Sequence, residues 1–192
     1  MRGFRRRRQP QWGVTTDLTI PPWYPLDLGV EPSRFRAVVE RALRDADPWS
    51  PMDAGVAEAT AAEIAGWAAT LRSVPGILDA AVLRPSVEGP VEAVLSTSLS
   101  SPPASVTLEE FVEEHLGDAT YDLTEEALPV GEALRVHRAG RSGDDETSVE
   151  AVGYAFRAPD GDVVWHEMFW AGTGEHRWCD TADALARGLT FT

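Results

Sequence analysis

The sequence predicts an α+β fold: a mostly antiparallel sheet of about six strands with helices packed on it. Three observations carry that prediction. Apolar residues recur with helical spacing in two segments before Pro75 and with a period of two in most segments after it. Proline- and glycine-rich breaks separate the segments at short intervals. Successive strand segments are joined by turns too tight for a crossover, so neighbouring strands must run antiparallel.

Taken in order, residues 14–20 alternate threonine with apolar side chains and suit a short strand. Pro21, Pro22 and Pro25 then deny a sheet its donors, so the strand is expected to end there. From Glu31 the pattern is helical. Pro32 suits a first helical turn, and Phe35, Val38, Val39 and Leu43 share a face. The break Asp47-Pro48-Trp49-Ser50-Pro51 stops this helix. Asp53 is placed to cap an alanine-rich helix running to about Ser73, with Val56, Ile64, Trp67 and Leu71 on its apolar face.

Pro75-Gly76 closes the second helix. Residues 77–83 and 91–99 read as strands joined by a turn-rich connection at 85–90. Thr107 and Glu110 have capping-box spacing for a short acidic helix at 108–116, ended by Gly117. Residues 134–138 alternate as a strand, and 141–148 form a polar loop. Strands at 149–157 and 163–171 flank Ala158-Pro159-Asp160-Gly161-Asp162, a hairpin turn. Asp180 is placed to cap a last helix at 181–187, followed by Leu189 and Phe191.

The charge is unevenly spread. The chain of 192 residues has a formal charge of −14, and all 17 basic residues are arginine. Lysine and asparagine are absent and isoleucine occurs three times, which reads as the codon usage of a GC-rich, bacterial genome. Residues 1–13 hold five arginines and no acid; the remainder holds twelve arginines against 31 acids, a charge of −19. The organisation expected is a basic disordered tail, 1–13, and a single domain, 14–192, with translation from Val14 as an alternative that omits the tail. Arg5, Arg6, Arg7 and Arg8 form either a solvated tail or an arm for an anionic partner. Nucleic acid is an expected partner only through that arm, because an acidic body repels phosphates.

One cysteine excludes an internal disulfide framework, a zinc ribbon and an iron–sulfur cluster. No run of about 18 apolar residues could span a membrane. The early arginines precede no apolar secretory core, so a cytoplasmic location is expected. Neither a Gly-x-Ser-x-Gly elbow nor a phosphate-binding glycine loop occurs, and no cofactor is expected.

The densest group of reactive side chains is His166, Glu167, His176 and Cys179. His166, His176 and Cys179 are ligand types for zinc or copper. Cys179, just before a helix and near His176, His166 and Asp180, also has the parts of an activated nucleophile. Alternation puts Val164, His166, Met168 and Trp170 on one face, with Trp165, Glu167 and Phe169 on the other. The strand is therefore expected to be buried on both sides, with His166 and Glu167 as polar exceptions that need partners. The simpler reading makes His166 and Cys179 core residues.

Glu109, Glu110, Glu113 and Glu114 form an acidic helix face, with Glu125-Glu126 and Asp144-Asp145-Glu146 as further patches. Their spacing does not fit an EF-hand, and solvated faces are expected. Trp23, Tyr24, Trp49 and Trp178 fall in loops or at element ends. There they either staple a loop to the core or anchor a partner.

The segment Val149-Glu-Ala-Val-Gly-Tyr-Ala-Phe-Arg, the Pro-Asp-Gly turn, Val163-Val-Trp-His-Glu-Met-Phe-Trp and the closing Asp183-Ala-Leu-Ala-Arg-Gly-Leu-Thr-Phe191 together resemble the end of a PsbP-like domain. The opening Leu18-Thr-Ile-Pro-Pro-Trp23 is similar to the start of such domains. That superfamily includes LpqN-type and DcrB-type proteins and chaperones that load type VI secretion effectors. The lipoprotein members carry an N-terminal cysteine, whereas the cysteine here is Cys179. The resemblance implies protein-binding and accessory roles more often than chemistry.

The expected function is therefore non-enzymatic recognition of another protein with a basic surface, through the sheet face or the tryptophan loops. A chaperone, adaptor or immunity protein of a bacterial secretion or toxin system fits that description. The alternative is a small enzyme or metal-binding protein using His166, Glu167, His176 and Cys179.

Overall fold

The computed structural model describes residues 12–15, 18, 23–45, 52–86, 89–142, 147–171 and 177–192. Arg5–Arg8, Trp49 and His176 lie outside the described residues. In chain order the elements are β1 (Val14–Thr15), β2 (Trp23–Pro25), α1 (Pro32–Asp45), α2 (Ala54–Arg72), β3 (Ile77–Leu83), β4 (Ala93–Ser100) and α3 (Leu108–Leu116). They continue with β5 (Asp122–Leu128), β6 (Gly131–Ser142), β7 (Thr147–Arg157), β8 (Val163–Ala171), α4 (Cys179–Arg187) and β9 (Thr190–Phe191).

Seven strands form one antiparallel sheet in the order β2-β3-β4-β8-β7-β6-β5, and β1 pairs with β9 in a separate two-stranded ribbon. The α+β class holds, with more strands than the six expected. Local chemistry explains the helix starts. Asp53 accepts hydrogen bonds from the backbone N–H groups of Gly55 and Val56 at 2.8 and 3.2 Å. Thr107 and Glu110 complete the reciprocal capping box at the start of α3. The last helix departs from expectation. It begins at Cys179, its N-cap Trp178 makes no side-chain bond, and Asp180 sits inside the first turn. There a carboxylate complements the positive end of the helix dipole.

Helices cover both sheet faces. On one, Leu83, Leu95, Val152, Phe156, Met168 and Trp170 pack with Leu185 and Leu189 from α4 and its following turn. On the other, α1 and α2 bring Phe35, Ile64 and Leu71 onto Val82 and Val94. Phe111 and Val112 of α3 cover Leu134, Val136 and Trp165 farther along the same face. Gly153 lets the Trp165 ring lie flat on β7, since a Cβ there would sit 2.5 Å from Trp165 Cζ2.

Three strand assignments change. Trp23–Pro25 is a strand despite its proline, because β2 is a sheet edge that pairs on one side only. β5 was not expected: Asp122-Leu-Thr-Glu-Glu-Ala-Leu shows no clean alternation, because an edge strand need bury little. β6 and β7 extend into the polar segment read as a loop, with Arg141 paired to Ser148 and Ser142 to Thr147.

The folded part also starts earlier than residue 14. Gly13 exchanges two backbone hydrogen bonds with Thr192, at 2.9 and 3.0 Å. Trp12 donates from Nε1 to Asp160 Oδ2 at 2.9 Å and meets Phe191 edge-to-face. Trp12 and Gly13, within the stretch expected as a tail, are thus bonded to the closing residues and to the β7–β8 turn. Among the described residues, no helix is long and apolar enough to cross a membrane.

Candidate functional site

Strand register places an uninterrupted polar row beneath α4. Thr97 of β4 faces His166 of β8, His166 faces Tyr154 of β7, and Tyr154 faces Arg135 of β6. Farther along the same face lie His137, two residues beyond Arg135 in β6, and Glu150, four residues before Tyr154 in β7. The helix completes the arrangement. Cys179 and Asp183 stand four residues apart in α4 and so project from one side of it.

Asp183 is the hub of one half. Arg135 Nε donates to its Oδ1 at 2.9 Å, and the Tyr154 hydroxyl donates to the same oxygen. Both charged side chains are about one-fifth exposed, at 19% each. Burial, reinforced by the Asp183 carboxylate, raises the Tyr154 pKa and keeps its phenol protonated. Burial pulls Arg135 down, but the hydrogen bond and charge of Asp183 outweigh it and raise the guanidinium. Two cation–anion hydrogen bonds and a phenol thus satisfy groups that would be costly to bury alone.

Glu150 is the hub of the other half. His137 Nε2 lies 2.8 Å from its Oε1, Trp170 Nε1 donates to Oε2 at 3.2 Å, and Cys179 Sγ stands 3.9 Å from Oε1. Burial, then the Glu150 charge, pushes the Cys179 thiol up to about 11. This opposes the activated thiolate that the position before a helix suggests. The His137, Glu150 and Cys179 ligand atoms all fall within 4.8 Å of one another.

The four residues grouped from sequence do not converge. His166 lies on the α4 side, where Nδ1 is 2.9 Å from Thr97 Oγ1, and burial lowers its pKa to about 4. Glu167 lies on the opposite face, where its Oε1 accepts from Arg138 Nη2 at 2.7 Å. Cys179 reaches Glu150 instead of His166, and His176 lies outside the described residues. A pocket of His166 with Glu167 is therefore overturned by the two-residue period of β8.

The tryptophan anchors also change. Trp23 is buried in the core cluster on the α4 side and is not a surface anchor. Tyr24 is half-buried against both α1–α2 clusters. Trp178 is half-buried, packs on the core and lies under the Arg177 guanidinium at 4.8 Å. Trp49 lies outside the described residues.

Sequence reasoning missed Arg135, His137, Glu150, Tyr154 and Asp183. The signal was present in the alternation of β6, which sets Arg135 and His137 opposite Leu134 and Val136, and in Glu150 as an acid within an apolar strand.

A second feature lies at the far edge of the sheet. Leu108, Glu109, Glu125, Glu126, Ala127 and Glu132 contribute to an open groove of about 530 Å³ between α3 and the β5–β6 hairpin. Among the described residues, no basic side chain lines it.

Together these features define an antiparallel α+β protein with a buried polar network under one helix and an acidic groove at one edge. No protein-family model matches the chain, and no curated protein matches it.

Proposed function

We propose that this chain is a non-catalytic, protein-binding accessory protein that receives a basic, extended segment of its partner along β5. One observation carries the reading: the outer side of β5 pairs with no strand among the described residues, and Glu125 and Glu126 of β5, with Glu132 of β6 and Glu109 of α3, line the groove beside it. An edge strand offers unpaired backbone donors and acceptors to an incoming strand, while carboxylates select a basic one. The opposite edge suits this less well, since β2 has three residues and contains Pro25. The central sheet faces are covered by α1, α2, α3 and α4, which leaves β5 as the accessible part of the sheet.

A cytoplasmic chaperone, adaptor or immunity role in a bacterial secretion or toxin system belongs to this proposal. So does membership of the PsbP-like superfamily, supported by the succession of a long β7–β8 hairpin, α4 and Leu189–Phe191. The strongly acidic body favours rapid association with a basic partner.

The test is calorimetric titration with an extended peptide that alternates arginine and apolar residues. The variant Glu125→Gln/Glu126→Gln/Glu132→Gln should bind about tenfold more weakly, from the summed loss of three attractions at the groove. Asp45→Asn/Glu58→Gln, on α1 and α2, should leave affinity unchanged. Equal losses in both variants would reduce the binding to general charge attraction and overturn the proposal.

A further inference from the structure

We infer that His137, Glu150 and Cys179 form a binding site for a borderline-soft divalent cation, with Zn²⁺ as the best match. The inference is independent of the partner-binding proposal, because the site lies beneath α4 and the groove lies at the β5 edge. Three ligand types of different hardness converge here, a nitrogen, a carboxylate oxygen and a sulfur, with their ligand atoms within 4.8 Å of one another. Imidazole with thiolate favours zinc over magnesium or calcium, which take oxygen-only shells.

The surroundings of the three groups strengthen the assignment. Glu150 has its second carboxylate oxygen held by another buried side chain. Glu150 Oε2 accepts from Trp170 Nε1 at 3.2 Å, which turns Oε1 toward His137 and Cys179. His137 Nδ1 lies 4.0 Å from Asp122 Oδ2, while its Nε2 faces Glu150. Ligand supply is also mechanically sound. His137 and Glu150 come from adjacent long strands, and Cys179 comes from the first turn of α4.

The binding step balances simply. Cys179 loses its thiol proton to solvent, and the sulfur electron pair forms the metal–sulfur bond. His137 binds through Nε2 with its proton on Nδ1, toward Asp122. Glu150 exchanges its contact with His137 for a metal–oxygen bond. Three protein ligands leave one position of a tetrahedral ion open, as at zinc sites that bind water or a further ligand. The bound ion would join β6, β7 and α4 at one point.

Cobalt(II) titration of the full, reduced chain tests the site, with cobalt as the spectroscopic substitute for zinc. A thiolate-to-cobalt charge-transfer band should saturate at one equivalent and disappear on addition of Zn²⁺. His137→Ala and Cys179→Ala should each weaken binding by more than about 100-fold, since each removes one of three protein ligands. Circular dichroism checks that the variants fold. A second readout needs no variant: Zn²⁺ should slow alkylation of Cys179 in the native chain, and a chelator should restore it. Absence of the sulfur band, or a band that survives His137→Ala, would overturn the assignment.

Discussion

The polar network under α4 and the acidic groove at β5 contain similar side chains in opposite circumstances. Beneath α4 every charge has a partner: Asp183 holds Arg135 and Tyr154, and Glu150 holds His137 and Trp170. At β5 the glutamates cluster without a cation among the lining residues. The difference teaches what burial requires. An ion removed from water must regain its solvation from neighbours, whereas an ion at an edge keeps its water and repels its like at modest cost. The first arrangement holds a helix on a sheet; the second leaves charge available to a partner.

The sharpest way to break this contrast is to remove one member of the buried set. Asp183→Ala should destabilise the protein by about 3–5 kcal/mol in urea unfolding, because it strands the Arg135 charge and the Tyr154 hydroxyl together. A loss below about 1 kcal/mol would show that α4 does not depend on the pair.

The next effect is pH dependence from the same face. Burial keeps His166 neutral in the fold down to about pH 4, while the unfolded chain takes up its proton near 6.5. Between those values the unfolded state binds more protons, so stability falls as pH falls through the window. The group should contribute about 2–3 kcal/mol of loss between pH 7 and pH 4. Unfolding curves across that range should be steeper for the native chain than for His166→Gln; parallel curves would assign the acid sensitivity elsewhere.

The smallest effect belongs to the groove. Glu125→Gln/Glu126→Gln/Glu132→Gln should change stability by less than about 0.5 kcal/mol, or raise it slightly, as expected for surface charges that repel. A large destabilisation would make the groove a structural element and blur the contrast.

How much of this was legible follows the range of the interactions involved. The caps at Asp53 and Thr107 act within three residues, and both stand in the sequence as they stand in the fold. β8 matches its apolar run from Val163 to Ala171, since its period needs no partner to be seen. β5 was hidden because its acidic residues serve an edge, where burial leaves no pattern. The site was hidden for a different reason. Arg135 and Asp183 are 48 residues apart, and no local pattern links them. The grouping of His166 with Glu167 followed proximity along the chain, although alternation already sent the two to opposite faces.

By itself the sequence determined the α+β class, the helix caps, the hairpin turns and the division into a basic start and an acidic remainder. Each depends on backbone preference, spacing or charge count within a few residues. The tertiary structure alone decided that β5 closes one edge of the sheet, that Trp23 is core, and that Cys179 meets Glu150 and His137. Those outcomes depend on strand register and on the docking of α4. Register is set by burying whole faces at once, so no single segment contains it.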